Sequence, residues 1–304
     1  MNIQPNSPSP LRARMIVDMK ARGLGPTTQK AHQRACERFA TWLGRSPDTT
    51  TPDDVRHFQQ HLAGLGITVG RRNQIMAALK FLFRVTLRRH DLVVEIFYLK
   101  EPHRVPAVLS RDEIKRLLTM APDLRSRTML SLAYGCGLRA SEVVKLRVCD
   151  IDSAQGIIRI LQSKGGKDRN VMLPAEVLEL LRDWWKERPT RKDDGVPPAE
   201  RWLFPSRKGR SYLATRQLTR ILHDVAAAAG VTKRISLHTM RHSFATHLLE
   251  RGEDIRVIQV LLGHSTLTST ARYTQVATGL IAGTDSPLDD LNRARRKKRK
   301  AGSS

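Results

Sequence analysis

The sequence predicts a mainly α-helical protein with one small antiparallel β-sheet, divided into two domains. Three observations predict it. Apolar residues recur at helical spacing through most of the 304 positions. Lys100-Glu101-Pro102-His103-Arg104-Val105-Pro106 interrupts that spacing with two prolines and mixed charge, which suits an extended linker. Beyond it, two short β-rich runs flank a glycine-centred turn, Ser163 to Asp168. A chain of this length exceeds one average domain and falls short of three. The expected organisation is a helical domain over 1–100, a linker over 101–106, a second domain over 107–291 and a basic tail over 292–304.

Each element has a local reason. Leu11, Met15, Ile16 and Met19 share one face of a first helix, and Phe39, Trp42 and Leu43 close a second that begins near Thr27. Thr51-Pro52-Asp53-Asp54 opens a third with a capping hydroxyl, a proline at the first helical position and acidic residues where the helix dipole favours them. The fourth is expected to run from about Gly70 to Arg89. It sets Ile75, Leu79, Leu82 and Phe83 on one side, with Arg71, Arg72, Lys80, Arg84, Arg88 and Arg89 around them.

After the linker, Ser110 and Glu113 form a capping box and Leu109 and Ile114 a hydrophobic staple, so a helix starts at Arg111. Helices continue over Arg127 to Tyr134 and around Ser141 to Leu146. Ile157 to Leu161 and Asn170 to Pro174 then read as two strands of a hairpin whose tip presents lysine. A helix over Ala175 to Lys186 leads to a surface loop, Pro189 to Glu200. Arg216 to Ala229, Leu237 to Arg251 and Ile255 to Leu262 are the last helices, and Gly252 and Gly263 stand where left-handed caps are wanted.

Composition narrows the partner. Lys and Arg number 53 against 29 Asp and Glu, a formal charge of +24, which points to a polyanion. Seven of the eight residues from Arg293 to Lys300 are basic and read as a disordered, solvated tail attracted to phosphates. No stretch approaches the roughly 20 apolar residues that span a bilayer, so no membrane partner is expected. The polar start, Met1 to Pro10, lacks a signal core and points to the cytoplasm. Three cysteines without a CxxC pair argue against a disulfide framework and against zinc; they read as small apolar residues.

His238 and Arg241 lie three apart on one helix and leave the same face. Taken alone, such a pair is ordinarily a surface contact or a capped core histidine. Metal is not expected: His238, His242 and His247 have no carboxylate or cysteine at ligand spacing, and Arg241 would put a cation inside the site. The ordered set says more: Gly137-Leu138-Arg139-Ala140-Ser141-Glu142, Ser163 to Arg169, His238 to His242, Leu262-Gly263-His264 and Tyr273. Arg241 to His264 spans 23 positions and His264 to Tyr273 spans nine.

On these motifs the chain resembles the tyrosine recombinases of the phage integrase family, including the chromosome-dimer-resolving and transposon-borne types. The resemblance implies an N-terminal SAM-like core-binding domain and an α+β catalytic domain, together a C-shaped clamp on DNA. It implies an enzyme that breaks and rejoins DNA through a 3′-phosphotyrosyl link, with Tyr273 as nucleophile and Arg139, Lys164, His238, Arg241 and His264 forming the pocket. Glu142 stands where the family keeps an acidic support for the first arginine. No cofactor and no metal are implied.

Arg139 and Arg241 suit the two non-bridging oxygens that gain charge in the transition state. His238 is the candidate acceptor for the phenolic proton and Lys164 the candidate general acid. Candidate DNA-contacting residues are Arg71, Arg72, Lys80, Arg84, Arg216 and Arg220. Expected partners are double-stranded recombination sites and other copies of the chain, a synaptic homotetramer on DNA from a free monomer or weak dimer. An accessory recombinase or DNA-bending protein is a further candidate, and the expected place is the bacterial cytoplasm, with the nucleoid. Leu280, Ile281, Leu288 and Leu291 are candidates for an anchor lent to a neighbouring protomer. The alternatives are a catalytically silent DNA-binding regulator and a type IB topoisomerase-like relaxer.

Overall fold

Proline and hydroxyl caps decide where the first helices begin. α1 (Pro10–Ala21), α2 (Pro26–Leu43) and α3 (Pro52–Gly64) each place proline at the first helical position, where its missing N–H costs nothing. Thr51 closes the start of α3: its hydroxyl accepts from the Asp54 N–H at 3.3 Å, and the Asp54 carboxylate accepts from the Thr51 N–H at 2.7 Å. The computed structural model describes residues 9–101, 106–161, 168–189, 193, 195–207 and 211–263. The chain divides into two units, Met1–His103 and Arg104–Ser304.

In the first unit the rings of Phe58 and Phe83 meet Phe39 edge-on, with centroids at 4.9 and 5.9 Å. Met19, Val55, Leu62, Ile75, Leu79 and Leu92 are buried around them. The fourth helix differs from the single span expected over Gly70 to Arg89. α4 (Val69–Phe81) gives way to a wide π-helical turn, Leu82–Leu87, and Arg88 takes a left-handed φ of 56° before α5 (His90–Val94). The wide turn admits one extra residue, so Leu82, Phe83 and Thr86 are all buried together. Periodicity identifies the apolar residues of that segment but not the change of pitch.

The second unit opens on the capping box read from the sequence. Ser110 Oγ accepts from the Glu113 N–H at 3.1 Å and Glu113 Oε2 from the Ser110 N–H at 2.7 Å, starting α6 (Arg111–Thr119), with Leu109 and Ile114 both buried. α7 (Leu124–Gly135) forms the centre, packed by α6, α8 (Ala140–Val144), α9 (Ala175–Glu187), α10 (Thr215–Ala228) and α11 (Leu237–Glu250). Leu130, Leu132, Val143, Ile158, Leu218 and Met240 belong to its core.

The hairpin has one strand more than expected. β1 (Ile151–Asp152), β2 (Ile157–Ile160) and β3 (Arg169–Met172) form an antiparallel sheet in that order, with Ile158 opposite both Ile151 and Val171. Two residues of β1 are too few to show an alternation. β3 packs on α12 (Ile255–Leu262), which Gly263 closes at φ 60°; Gly252 ends α11 at φ 87°.

The stretch from Pro189 to Glu200 is fastened at its stem rather than lying wholly on the surface. Arg188, almost fully buried, ion-pairs with buried Asp193 and donates to the Trp202 carbonyl at 2.9 Å. Cys149 also departs from expectation: it is exposed, whereas Cys136 is buried and Cys36 is half-buried.

Candidate active site

A short turn and a five-residue helix carry the first arginine. Gly137 takes φ +59°, and Arg139 then caps α8. Glu142, in the first turn, reaches back: its Oε2 accepts from the Arg139 backbone N–H at 2.8 Å and its Oε1 from Arg139 Nη1 at 2.7 Å. The Arg139 side chain is therefore aimed by its own helix.

Two arginines from distant strands of sequence complete the cluster. Arg169, at the start of β3, binds Glu142 as a fork, with Nη1 to Oε1 and Nη2 to Oε2 both at 2.8 Å. Arg241, on α11, lies with Nη1 3.8 Å from Glu142 Oε2 and donates from the same nitrogen to the Gly137 carbonyl at 2.7 Å. One carboxylate thus faces three guanidinium groups. Burial by itself would raise the Glu142 pKa, but the hydrogen bonds and charge of Arg169, with the two hydrogen bonds from Arg139, outweigh it and hold the value at about 2.

The same three arginines cap the end of α12, whose last carbonyls have no helical partner. Arg169 Nε donates to the Leu261 carbonyl at 2.8 Å, Arg139 Nη2 to those of Leu262 and Gly263 at 3.3 and 3.4 Å, and Arg241 Nη2 also to Leu262. Arg139 and Arg241, 102 positions apart in sequence, thereby share one acceptor atom. Arg139 is the more open of the two, with 19% of its side chain exposed against 4% for Arg241. His238 is exposed in the first turn of α11, one turn before Arg241.

Lys164, His264, Tyr273, the segment containing Leu280, Ile281, Leu288 and Leu291, and the tail over 292–304 lie outside the described residues. Chain connectivity still relates two of them to the cluster: Lys164 precedes Arg169 by five positions, and His264 directly follows Gly263.

Residues 107–279 match the phage integrase family and residues 11–90 match the phage integrase N-terminal SAM-like domain. The chain belongs to the phage integrase family. Among relatives of this tyrosine recombinase, a Sinorhizobium fredii chain named as an integrase/recombinase is 39% identical over 290 residues, 94% of this chain and 90% of that one. The tyrosine recombinase XerD of Ralstonia nicotianae is 34% identical, covering 84% of this chain and 85% of its own. A XerH site-specific recombinase bound to a palindromic difH substrate shares the fold, with a TM-score of 0.66 at 23% identity over 86% of this chain and 80% of that one. The activity is site-specific DNA strand breakage and rejoining, and the relatives do not favour a silent regulator or a relaxing enzyme.

One member of the recombinase cluster was not singled out from sequence. Arg169 closes the motif Ser163 to Arg169, yet nothing in its spacing announces a bidentate contact with a glutamate 27 positions away. The glycines explain how the groups approach. A Cβ on Gly137 would stand 2.5 Å from Phe244 Cδ1, and one on Gly263 2.8 Å from Arg169 Cδ. Gly137→Ala is expected to lower the unfolding free energy by about 2–4 kcal/mol through left-handed strain and overpacking. Denaturant unfolding checks this: an unchanged midpoint would mean that Phe244 yields freely.

The candidate DNA-contacting side chains separate by exposure. Arg71 and Arg84 are exposed and Arg72 and Lys80 half-buried in the first unit, where Lys80 Nζ lies 5.4 Å from the Tyr98 ring centre. Lys80 and Arg84 join Arg22 along one open pocket of that unit. Arg216 and Arg220 are both exposed, one turn apart on α10, while Leu218 and Leu222 face the core.

Proposed function

We propose that this recombinase cuts DNA with Tyr273 as the attacking group, in a pocket made of Arg139, Lys164, His238, Arg241 and His264. The observation that carries the reading is the convergence of Arg139 and Arg241 on the Leu262 carbonyl, two positions ahead of His264. Guanidinium groups that reach one oxygen of the protein can reach two oxygens of one phosphate. Glu142, itself held by Arg169, supports them.

The phenol attacks phosphorus and the bond to the 5′-oxygen of the next nucleotide breaks, leaving a 3′-phosphotyrosyl ester and a 5′-hydroxyl. Arg139 and Arg241 neutralise the charge that grows on the non-bridging oxygens. A free tyrosine ionises near pH 10, so His238 accepts the phenolic proton while the cationic field favours the phenolate. Lys164 gives a proton to the leaving 5′-oxygen, and His264 orients the phosphate. Attack by another strand's 5′-hydroxyl reverses the step, which rejoins DNA without a cofactor. The wider reading is a synaptic homotetramer in the bacterial cytoplasm, acting for a mobile or chromosomal element, with both basic units engaging the duplex.

Trapped covalent adducts test the chemistry: the DNA-linked peptide should contain Tyr273, and recovery of any other tyrosine would reassign the nucleophile. Lys164→Ala should slow cleavage of ordinary DNA by about 10²–10⁴-fold, the scale of a lost general acid. On a substrate with sulfur at the 5′-bridging position the deficit should largely vanish, because a thiolate leaves unprotonated. Equal damage on both substrates would remove the general-acid role.

A further inference from the structure

We propose that Lys145 and Arg147 bind the phosphodiester next to the scissile one on the cleaved strand, held ready by Tyr212 and Trp202. The inference rests on the assignment of the scissile phosphate to Arg139. A cavity of about 440 Å³ opens beside Arg139, and Lys145, Arg147, Arg159, Trp202 and Tyr212 line it.

The walls are built in an unusual way for surface cations. Lys145 Nζ stands 5.3 Å from the Tyr212 ring centre and Arg147 Cζ 4.3 Å from that of Trp202, while the two rings pack edge to face at 5.3 Å. The backbone fixes this arrangement. Arg147 and Trp202 form an isolated β-bridge, the Leu203 N–H donates to the Leu146 carbonyl at 2.9 Å, and Pro205 bridges Tyr212.

An aromatic face orients a cation without cancelling its charge, which a carboxylate partner would do. The carboxylates nearby are largely committed elsewhere. Glu142 serves Arg139 and Arg169, and Asp152 pairs with Arg159. Asp150 accepts from the Arg147 backbone N–H at 2.8 Å; burial raises its pKa, and the Arg147 charge opposes this in part. The cavity lining therefore carries four cations, Arg139, Lys145, Arg147 and Arg159, against two carboxylates. A polyanion with regularly spaced charges fits such a lining, and a strand bound at Arg139 must pass along it. Phosphate contacts of this kind set register and orientation rather than sequence preference.

The test couples side chain to phosphate on a duplex recovered from a random-sequence pool by binding to the full chain. Single uncharged methylphosphonates are placed at each position around the mapped adduct. For the unaltered protein, neutralising the phosphate next to the adduct should weaken binding about tenfold, the scale of one charged hydrogen bond. In Lys145→Gln and in Arg147→Gln the same substitution should cost clearly less than in the unaltered protein, since one of its two partners is gone, and in the double variant less than about twofold, with costs at other positions retained. Lys145 is exposed, so its variant tests the proposal even where Arg147→Gln disturbs packing. Undiminished costs in the Lys145 variant, or no position next to the adduct that weakens binding, would overturn the proposal. Should coupling appear beside an adduct that maps to a tyrosine other than Tyr273, the subsite stands and the reading of Tyr273 falls.

Discussion

Tyr273→Phe is expected to bind DNA as the unaltered protein does and to form no covalent adduct, a loss of more than about 10⁴-fold on the scale of a removed nucleophile. The chain has four tyrosines, and the surroundings of two others make them poor substitutes. The Tyr134 hydroxyl is engaged with His247 Nδ1 at 2.9 Å, and burial pushes its phenol up, away from ionisation. Burial also raises Tyr98, which belongs to the first unit. Tyr212 is the sharper control because it lines the cavity beside Arg139. Tyr212→Phe keeps the ring that backs Lys145 and should keep adduct formation. Gel electrophoresis of denatured reactions separates the outcomes: an adduct with the Tyr273 variant, or its loss with Tyr212→Phe alone, would move the nucleophile.

Glu142→Gln should be the most damaging change among the supporting residues. It removes the carboxylate charge that faces Arg139, Arg169 and Arg241. Arg169, with 6% of its side chain exposed, would then be a buried cation without its partner, at a cost of about 3–5 kcal/mol. The pH dependence gives an independent reading. The folded-state pKa of Glu142 is depressed from 4.5 to about 2, so its contribution is fully present above about pH 4.5 and is lost as pH falls through about 2. The stability gap between the protein and its Gln variant should therefore be flat near neutrality and close on acidification across that window. A gap that persists unchanged at pH 2 would show that the carboxylate charge is not what holds the arginines. Cleavage should also fall about 100-fold, since small misplacement of positioning groups has that effect.

How much of this could be read beforehand varies with the range of the interaction. The caps at Thr51 and Ser110 and the left-handed glycines 252 and 263 are contacts between neighbours in the chain, and their residue types announce them. The π turn at Leu82–Leu87 was not legible, because a run of apolar residues satisfies an α or a wider pitch until the core decides which. β1 was too short to show a period. Asp193 reads as one charge of the surface loop Pro189 to Glu200, and only folding makes it the buried partner of Arg188, just ahead of that loop.

By itself the sequence determined the two-part helical plan, the basic character and the set of motif residues that mark the family, because caps, periodicity and motif spacing are local. Only the tertiary structure decided that Arg139, Arg169 and Arg241 gather on one carboxylate and on the last carbonyls of α12, and that aromatic rings stand behind Lys145 and Arg147. Those groups come from separated stretches of chain. Their meeting depends on how α7, α8, α11, α12 and the sheet pack, and packing is a property of the whole core rather than of any one segment.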